Sequence, residues 1–222
     1  MADMPNRMVF DLEIARPLPS KNGKTNWDAA PSCGISTLCG WRVNSVSPFI
    51  WLLDSSRLPR VILSEDHAAH EFQRSEGVVS WNGVHFDNKV IQKASPSIWE
   101  VYKDSKHVDL MAICALIQAG VPTKKLTKGV PADWKKLASG SFDNLHHGWG
   151  LDAVGKATLG FGKQGVGGGD APIAWQQGRY SEVASYCICD VGVTRALYIH
   201  AWNEGWLQSP ERGRVRIPHE VL

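Results

Sequence analysis

Apolar and polar positions change their rhythm along this chain. Residues 7–14, Arg-Met-Val-Phe-Asp-Leu-Glu-Ile, start apolar and then place acids at alternate positions, the period of a strand. Residues 16–33 hold three prolines, a glycine and several polar residues, and read as a long loop. Strand-like runs follow at 34–43 and 49–53, separated by Asn-Ser-Val-Ser-Pro. The short connection predicts an antiparallel meander of three strands. A surface helix is expected at 65–74, and an apolar strand at 77–81 runs into the turn signal Asn82-Gly83. Helical spacing resumes at Phe86, Val90 and Ile91. Val108 ends a short fifth strand, and Asp109 is an N-cap for a helix at 110–118 that stops at Ala-Gly-Val-Pro. Residues 120–150 are polar with little periodicity. A helix at 151–159 ends at Gly160, a loop with six glycines follows, and 181–206 reads as a long helix. The order predicts an α/β fold with a mixed five-stranded sheet, a three-strand antiparallel meander plus parallel strands, flanked by helices. One domain over 1–222 is expected, with its core at about 7–206 and a C-terminal tail at 207–222.

Composition narrows the classes. The chain has 222 residues, 43% hydrophobic and 21% charged, which excludes a disordered or fibrous protein. No apolar run approaches the ~20 residues of a membrane helix. The start, Met-Ala-Asp-Met-Pro-Asn-Arg, has no apolar core of a secretory signal, so a cytoplasmic protein without a membrane partner is expected. A net charge of +2 is too small for a global field, so any nucleic-acid binding must come from local clustering. Five cysteines at irregular spacings, with Cys187-Ile-Cys189 one residue too tight for C-x-x-C, predict reduced and mostly buried thiols. The eight histidines, including the adjacent His146-His147, do not fall at zinc spacing.

Three acidic groups stand out. Asp11 and Glu13 are i and i+2 on a strand and project to one side. Two like charges at the end of an apolar strand need a cation or a proton to coexist. Asp87 follows a strand and a turn, in Trp81-Asn82-Gly83-Val84-His85-Phe86-Asp87, at the start of a helix. Strand ends of this kind are where α/β sheets place their sites, although a capping aspartate has the same signature. Tyr186 and Asp190 are i and i+4 on a largely apolar helix, where an unpartnered buried acid is costly.

The order D-x-E, then N-x-x-x-F-D, then Y-x-x-x-D, with separations of 74 residues (13 to 87) and 103 residues (87 to 190), resembles a known superfamily. It is that of the DEDD 3′–5′ exonucleases with the ribonuclease H-like fold, in the subgroup with Tyr in its third motif. Within it the chain looks most like the proofreading domain of family-B DNA polymerases and its stand-alone relatives. His-Val-Asp109-Leu-Met and Leu151-Asp-Ala-Val-Gly-Lys-Ala-Thr-Leu-Gly-Phe-Gly-Lys163 are supporting matches. The resemblance implies that Asp11, Glu13, Asp87 and Asp190 hold two divalent cations, Mg²⁺ or Mn²⁺, and that Tyr186 orients the attacking water. It implies contacts from Leu12 and Ile14 to the terminal nucleotide, and from Asn82 and Phe86 to the strand behind it. His85 is a bystander or a phosphate contact. The expected partner is the 3′ end of single-stranded DNA or RNA, with DNA favoured, and the product a nucleoside 5′-monophosphate.

Outside these motifs, residues 123–136 carry Lys124, Lys125, Lys128, Lys135 and Lys136 around Trp134. They read equally as a groove that guides a single strand and as a solvated loop. Trp149 and Trp175 share that ambiguity, whereas Trp41, Trp51 and Trp81 on strands are expected in the core. The glycine-rich loop lacks the P-loop pattern around Gly162-Lys163, which leaves a flap or a linker whose Lys163 can reach a phosphate. Two rival functions remain: a non-catalytic nucleic-acid-binding module on the same fold, and another two-metal nuclease.

Overall fold

The structure, a computed structural model, describes residues 4–54, 56–57, 64–138, 145, 147–165 and 167–222. The first three residues and His146, which figured in the sequence reading, lie outside them. The chain opens with β1 (Met8–Ile14), then a small ribbon of β2 (Ser20–Lys21) and β3 (Lys24–Thr25), and a 3-10 turn at Trp27–Ser32. Next come β4 (Ile35–Arg42), β5 (Phe49–Leu52), α1 (Glu65–Gln73), β6 (Val78–Ser80), α2 (Asp87–Ala94) and α3 (Pro96–Tyr102). Then follow β7 (His107–Asp109), α4 (Leu110–Gln118), α5 (Leu151–Leu159), α6 (Ala171–Gln176) and α7 (Tyr180–Glu204). A ribbon of β8 (Trp206–Ser209) and β9 (Gly213–Arg216) closes the chain.

The main sheet has the order β5-β4-β1-β6-β7. β5, β4 and β1 run antiparallel to their neighbours, and β1, β6 and β7 run parallel. The protein is therefore an α/β protein with a mixed five-stranded sheet flanked by helices. β1 is the central strand, and alternation along it divides the molecule. Met8, Phe10, Leu12 and Ile14 join a core with residues of α1, α2 and α3. Val9 joins the opposite core with Cys39, Cys187 and Val191, on the side of α7. Asp11 and Glu13 share the parity of Val9, so the pleat turns both acids toward α7. The β1–β4 register shifts between Glu13 and Ile14, an irregularity of the type that re-aims side chains next to sites.

Several elements differ from their sequence reading. The 16–33 loop holds the β2–β3 ribbon and the 3-10 turn. α3 and α6 carry Pro at their first or second position, where the missing N–H would have no helical partner anyway. The tail after α7 is folded: Leu207, Val215, Ile217, Val221 and Leu222 are buried in the larger core. Its turn is tied down by Ser209, whose hydroxyl donates to the Gly148 carbonyl (2.5 Å) and accepts from the Glu211 and Arg212 N–H groups. Trp134, Trp149 and Trp175 are fully buried, so none offers a ring face to a base and none is solvated, which overturns both readings for these three side chains. Trp51 is buried too, while Trp41 and Trp81 are half-buried. All five cysteines are free thiols and four are buried. Among the described residues no helix is long and apolar enough to cross a membrane.

Candidate metal centre

Local chemistry fixes each acid before the site assembles. Asp109 is fully buried at the end of β7 and caps α4, accepting from the Ala112 N–H (3.1 Å). The same carboxylate accepts from the Asn82 and Val84 N–H groups (3.0 Å each). One side chain thus joins the start of α4 to the turn after β6. In that turn Asn82 has a left-handed φ of 67°, a conformation Asn tolerates and one that clusters at functional sites. A Cβ on Gly83 would meet the Ser80 hydroxyl oxygen at 2.4 Å and Asp87 Oδ2 at 3.1 Å, so only glycine lets the turn pass this close. Behind it the Ser80 hydroxyl meets His107 Nε2 at 2.7 Å, Asn88 Nδ2 meets His107 Nδ1 at 3.2 Å, and the Tyr102 hydroxyl donates to Asn88 Oδ1 at 2.9 Å. Burial pushes the His107 pKa down to about 3, so the ring is neutral in this network. Asp87 opens α2 on top of it.

The acids converge where β1 meets α7. Ligand oxygens of Asp11, Glu13 and Asp190 lie within 4.8 Å of one another. Asp87 stands beside them, and its charge is among the causes that raise Asp11 and Glu13. Asp11 is half-buried; Glu13, Asp87 and Asp190 are buried. Burial first, and then Asp87, hold the Asp11 carboxyl well above the usual range. Burial and Asp190 do the same to Glu13. Burial and the Asp109 charge push Asp87 up to about 8, although backbone N–H groups of Asp87 and Leu12 donate to it. Burial also raises Asp190, against the pull of Lys163. Asp190 Oδ1 is buried without a hydrogen-bond partner.

Lys163 belongs to this centre. Its Nζ lies 2.5 Å from Asp190 Oδ2 and donates to the Tyr186 hydroxyl at 2.6 Å. Burial works against the ammonium, but the contact with Asp190 outweighs it and raises the Lys163 pKa. The backbone N–H of Lys163 donates to Asp152 Oδ1 on α5 (2.9 Å), which anchors the glycine-rich loop. Tyr186, one helical turn before Asp190, has its pKa raised by burial and then by Asp190. The sequence left Lys163 in a flap or linker; only the fold brings position 163 against α7.

All nine predicted site residues line one cleft of about 990 Å³. Asp11, Glu13, Asp87, Tyr186 and Asp190 form its floor. Leu12 and Ile14 reach it from the opposite face of β1, where their side chains are largely packed in the core. Asn82 and Phe86 are half-buried on its wall, and exposed His85 joins them. Lys135 of the basic stretch lines the cleft as well, so part of that stretch faces the site. Trp27 is a lining residue that the sequence reading passed over, because it sits in a proline-rich loop outside any motif.

Chemically, the floor is a set of oxygen donors in low-dielectric surroundings with more negative charge than one lysine neutralises. The orphaned Asp190 oxygen and the raised carboxylates fit a hard divalent cation. No protein-family model matches the chain, and no curated protein is significantly similar to it in sequence.

Proposed function

We propose that the chain is a metal-dependent 3′–5′ exonuclease of the ribonuclease H-like type, releasing nucleoside 5′-monophosphates from single-stranded ends. The observation that carries this reading is the meeting of Asp11, Glu13 and Asp190 within 4.8 Å, beside Asp87 and Tyr186, on the floor of an open cleft. The sheet order β5-β4-β1-β6-β7, antiparallel on one side of β1 and parallel on the other, agrees with ribonuclease H-like topology. The likeness of the motifs to a polymerase proofreading domain favours DNA over RNA.

The four carboxylates would hold two cations, and all-oxygen ligation suits Mg²⁺ or Mn²⁺. Bound there, such ions would lower the pKa of a water and neutralise charge on the phosphoryl oxygens. The chain's own groups do the positioning. The Tyr186 oxygen accepts from Lys163 and its hydroxyl also hydrogen-bonds the Asp190 carboxylate, contacts that hold it beside the acids, where it would orient a water facing the terminal phosphate. Burial and the neighbouring Asp190 raise the Tyr186 pKa, which favours a positioning role over that of a base. Lys163 adds a fixed positive charge next to Asp190. The Asn82 turn and Phe86 flank the strand behind the cleaved bond.

The test is incubation of 5′-labelled single-stranded DNA and RNA oligomers with Mg²⁺. Loss of one nucleotide at a time from the 3′ end is expected, abolished by EDTA and by Asp11→Asn, and slowed about 10²-fold by Tyr186→Phe. Binding without cleavage would favour a non-catalytic module, and internal cuts would favour another two-metal nuclease.

A further inference from the structure

Trp27 is 63% exposed, the most exposed of the ten tryptophans. Indole surface left in water gains nothing for the fold, and Trp27 joins none of the buried clusters. Its position is nevertheless fixed. It opens the 3-10 turn Trp27–Ser32, which packs against α2, and Lys93 of α2 donates to the Ser32 hydroxyl at 2.8 Å. Its ring meets Phe86 edge-on, with centroids 5.9 Å apart and planes at 76°. The two rings form a corner in the wall of the acid-floored cleft. Ile173 of α6, 44% exposed, brings more apolar surface to the same cleft, and Lys89 and Lys135 bring positive charge.

This combination has a definite chemical complement. An indole 63% exposed suits a planar ring, the Phe86 ring beside it limits how far that ring slides, and the lysines suit phosphates. At about 990 Å³ the cleft sits at the top of the ~300–1,000 Å³ range of small-molecule pockets, so it has room for more than a lone phosphate. We propose that Trp27 is a stacking platform for an unpaired base at the strand end whose phosphate lies over the acidic floor. This rests on the reading of the cleft as a nucleic-acid site and adds to it the side chain that grips the base at the strand end. The contact is tolerant of base identity, because every base has a π-face.

The proposal is tested by equilibrium binding of a fluorescent single-stranded oligonucleotide, followed by anisotropy, in protein silenced by Asp11→Asn. Adding Trp27→Ala is expected to raise Kd ~5- to 150-fold, the equivalent of ~1–3 kcal/mol for a base on an aromatic face. Trp27→Phe should restore most of the affinity. An oligonucleotide whose 3′-terminal positions lack bases should bind the Trp27→Ala protein and its parent equally, which a merely structural role of the ring would not produce. Equal affinity of Trp27→Ala and its parent for the intact oligonucleotide would overturn the proposal. So would an unchanged preference for the intact over the abasic end. Failure of the exonuclease reading shows elsewhere, as a wild-type protein that leaves 3′ ends uncut, so the two failures are separable.

Discussion

The decisive contacts are between single side chains that burial has moved away from their ordinary chemistry. His107 is the plainest case. It is fully surrounded, meets the Ser80 hydroxyl and the Asn88 amide, and is held neutral with a pKa of about 3 against an ordinary 6.5. The folded protein refuses a proton there that the unfolded chain accepts. The stability contributed by neutral His107 is present above about pH 6.5 and is lost as pH falls from 6.5 toward 3, at up to ~1.4 kcal/mol per pH unit. The raised carboxylates of the acidic cluster act with the opposite sign, so the His107 contribution is read as a difference between proteins. The His107→Gln variant should lose less melting temperature than the wild type between neutral pH and about pH 4.5. Parallel melting curves over that range would contradict the assignment. The same scale explains what the sequence could reveal. Asp11 and Glu13 were legible as a pair because the strand period alone puts i and i+2 on one side, and Tyr186 and Asp190 because a helix does the same at i and i+4. Lys163 was not legible as a partner of either, since nothing local to a glycine-rich loop says which helix it meets.

At the level of elements, the site depends on the turn between β6 and α2. Asp109 ties that turn to the first turn of α4 through three backbone N–H groups, those of Asn82, Val84 and Ala112. Burial pushes its pKa up to about 6, and the donated N–H groups pull it back, so it serves as an acceptor near neutral pH. Asp109→Ala strands those donors in the core and should cost roughly 2–4 kcal/mol in urea unfolding. It should also depress the proposed cleavage, because the turn is what presents Asp87 at the head of α2. A stability loss below about 0.5 kcal/mol, the range of ordinary surface substitutions, would show that the turn holds itself. This cap was readable in the sequence, since an N-cap is a local pattern of an aspartate before an apolar helical run. α3 and α6 were hidden because each is only six or seven residues long, too short for a helical period to stand out, and each carries proline in its first turn, where that residue is at home. The β8–β9 ribbon was hidden because two four-residue strands carry too short an alternation to stand out.

For the whole molecule, the central feature is a conflict between stability and charge. Four acids from β1, α2 and α7 sit in surroundings that disfavour their charged forms, with one lysine among them. Hydrophobic cores on both faces of the sheet hold the elements in place despite that repulsion. On the proposed reading divalent ions bind this cluster only in the folded state, and they should therefore stabilise the protein. The meander, the two parallel strands and the long last helix were legible from periodicity, so the scaffold could be outlined from the sequence. The convergence of the acids rested on the resemblance of their spacing to a known pattern, because 74 and 103 residues of intervening chain carry no local geometry. The most direct measurement is therefore Mn²⁺ binding to the purified chain, followed by electron paramagnetic resonance. Saturation at two ions per chain is predicted for the wild type, with Asp11→Asn and Asp190→Asn each losing at least one. Absence of saturable binding, or variants that bind as the wild type does, would contradict the account.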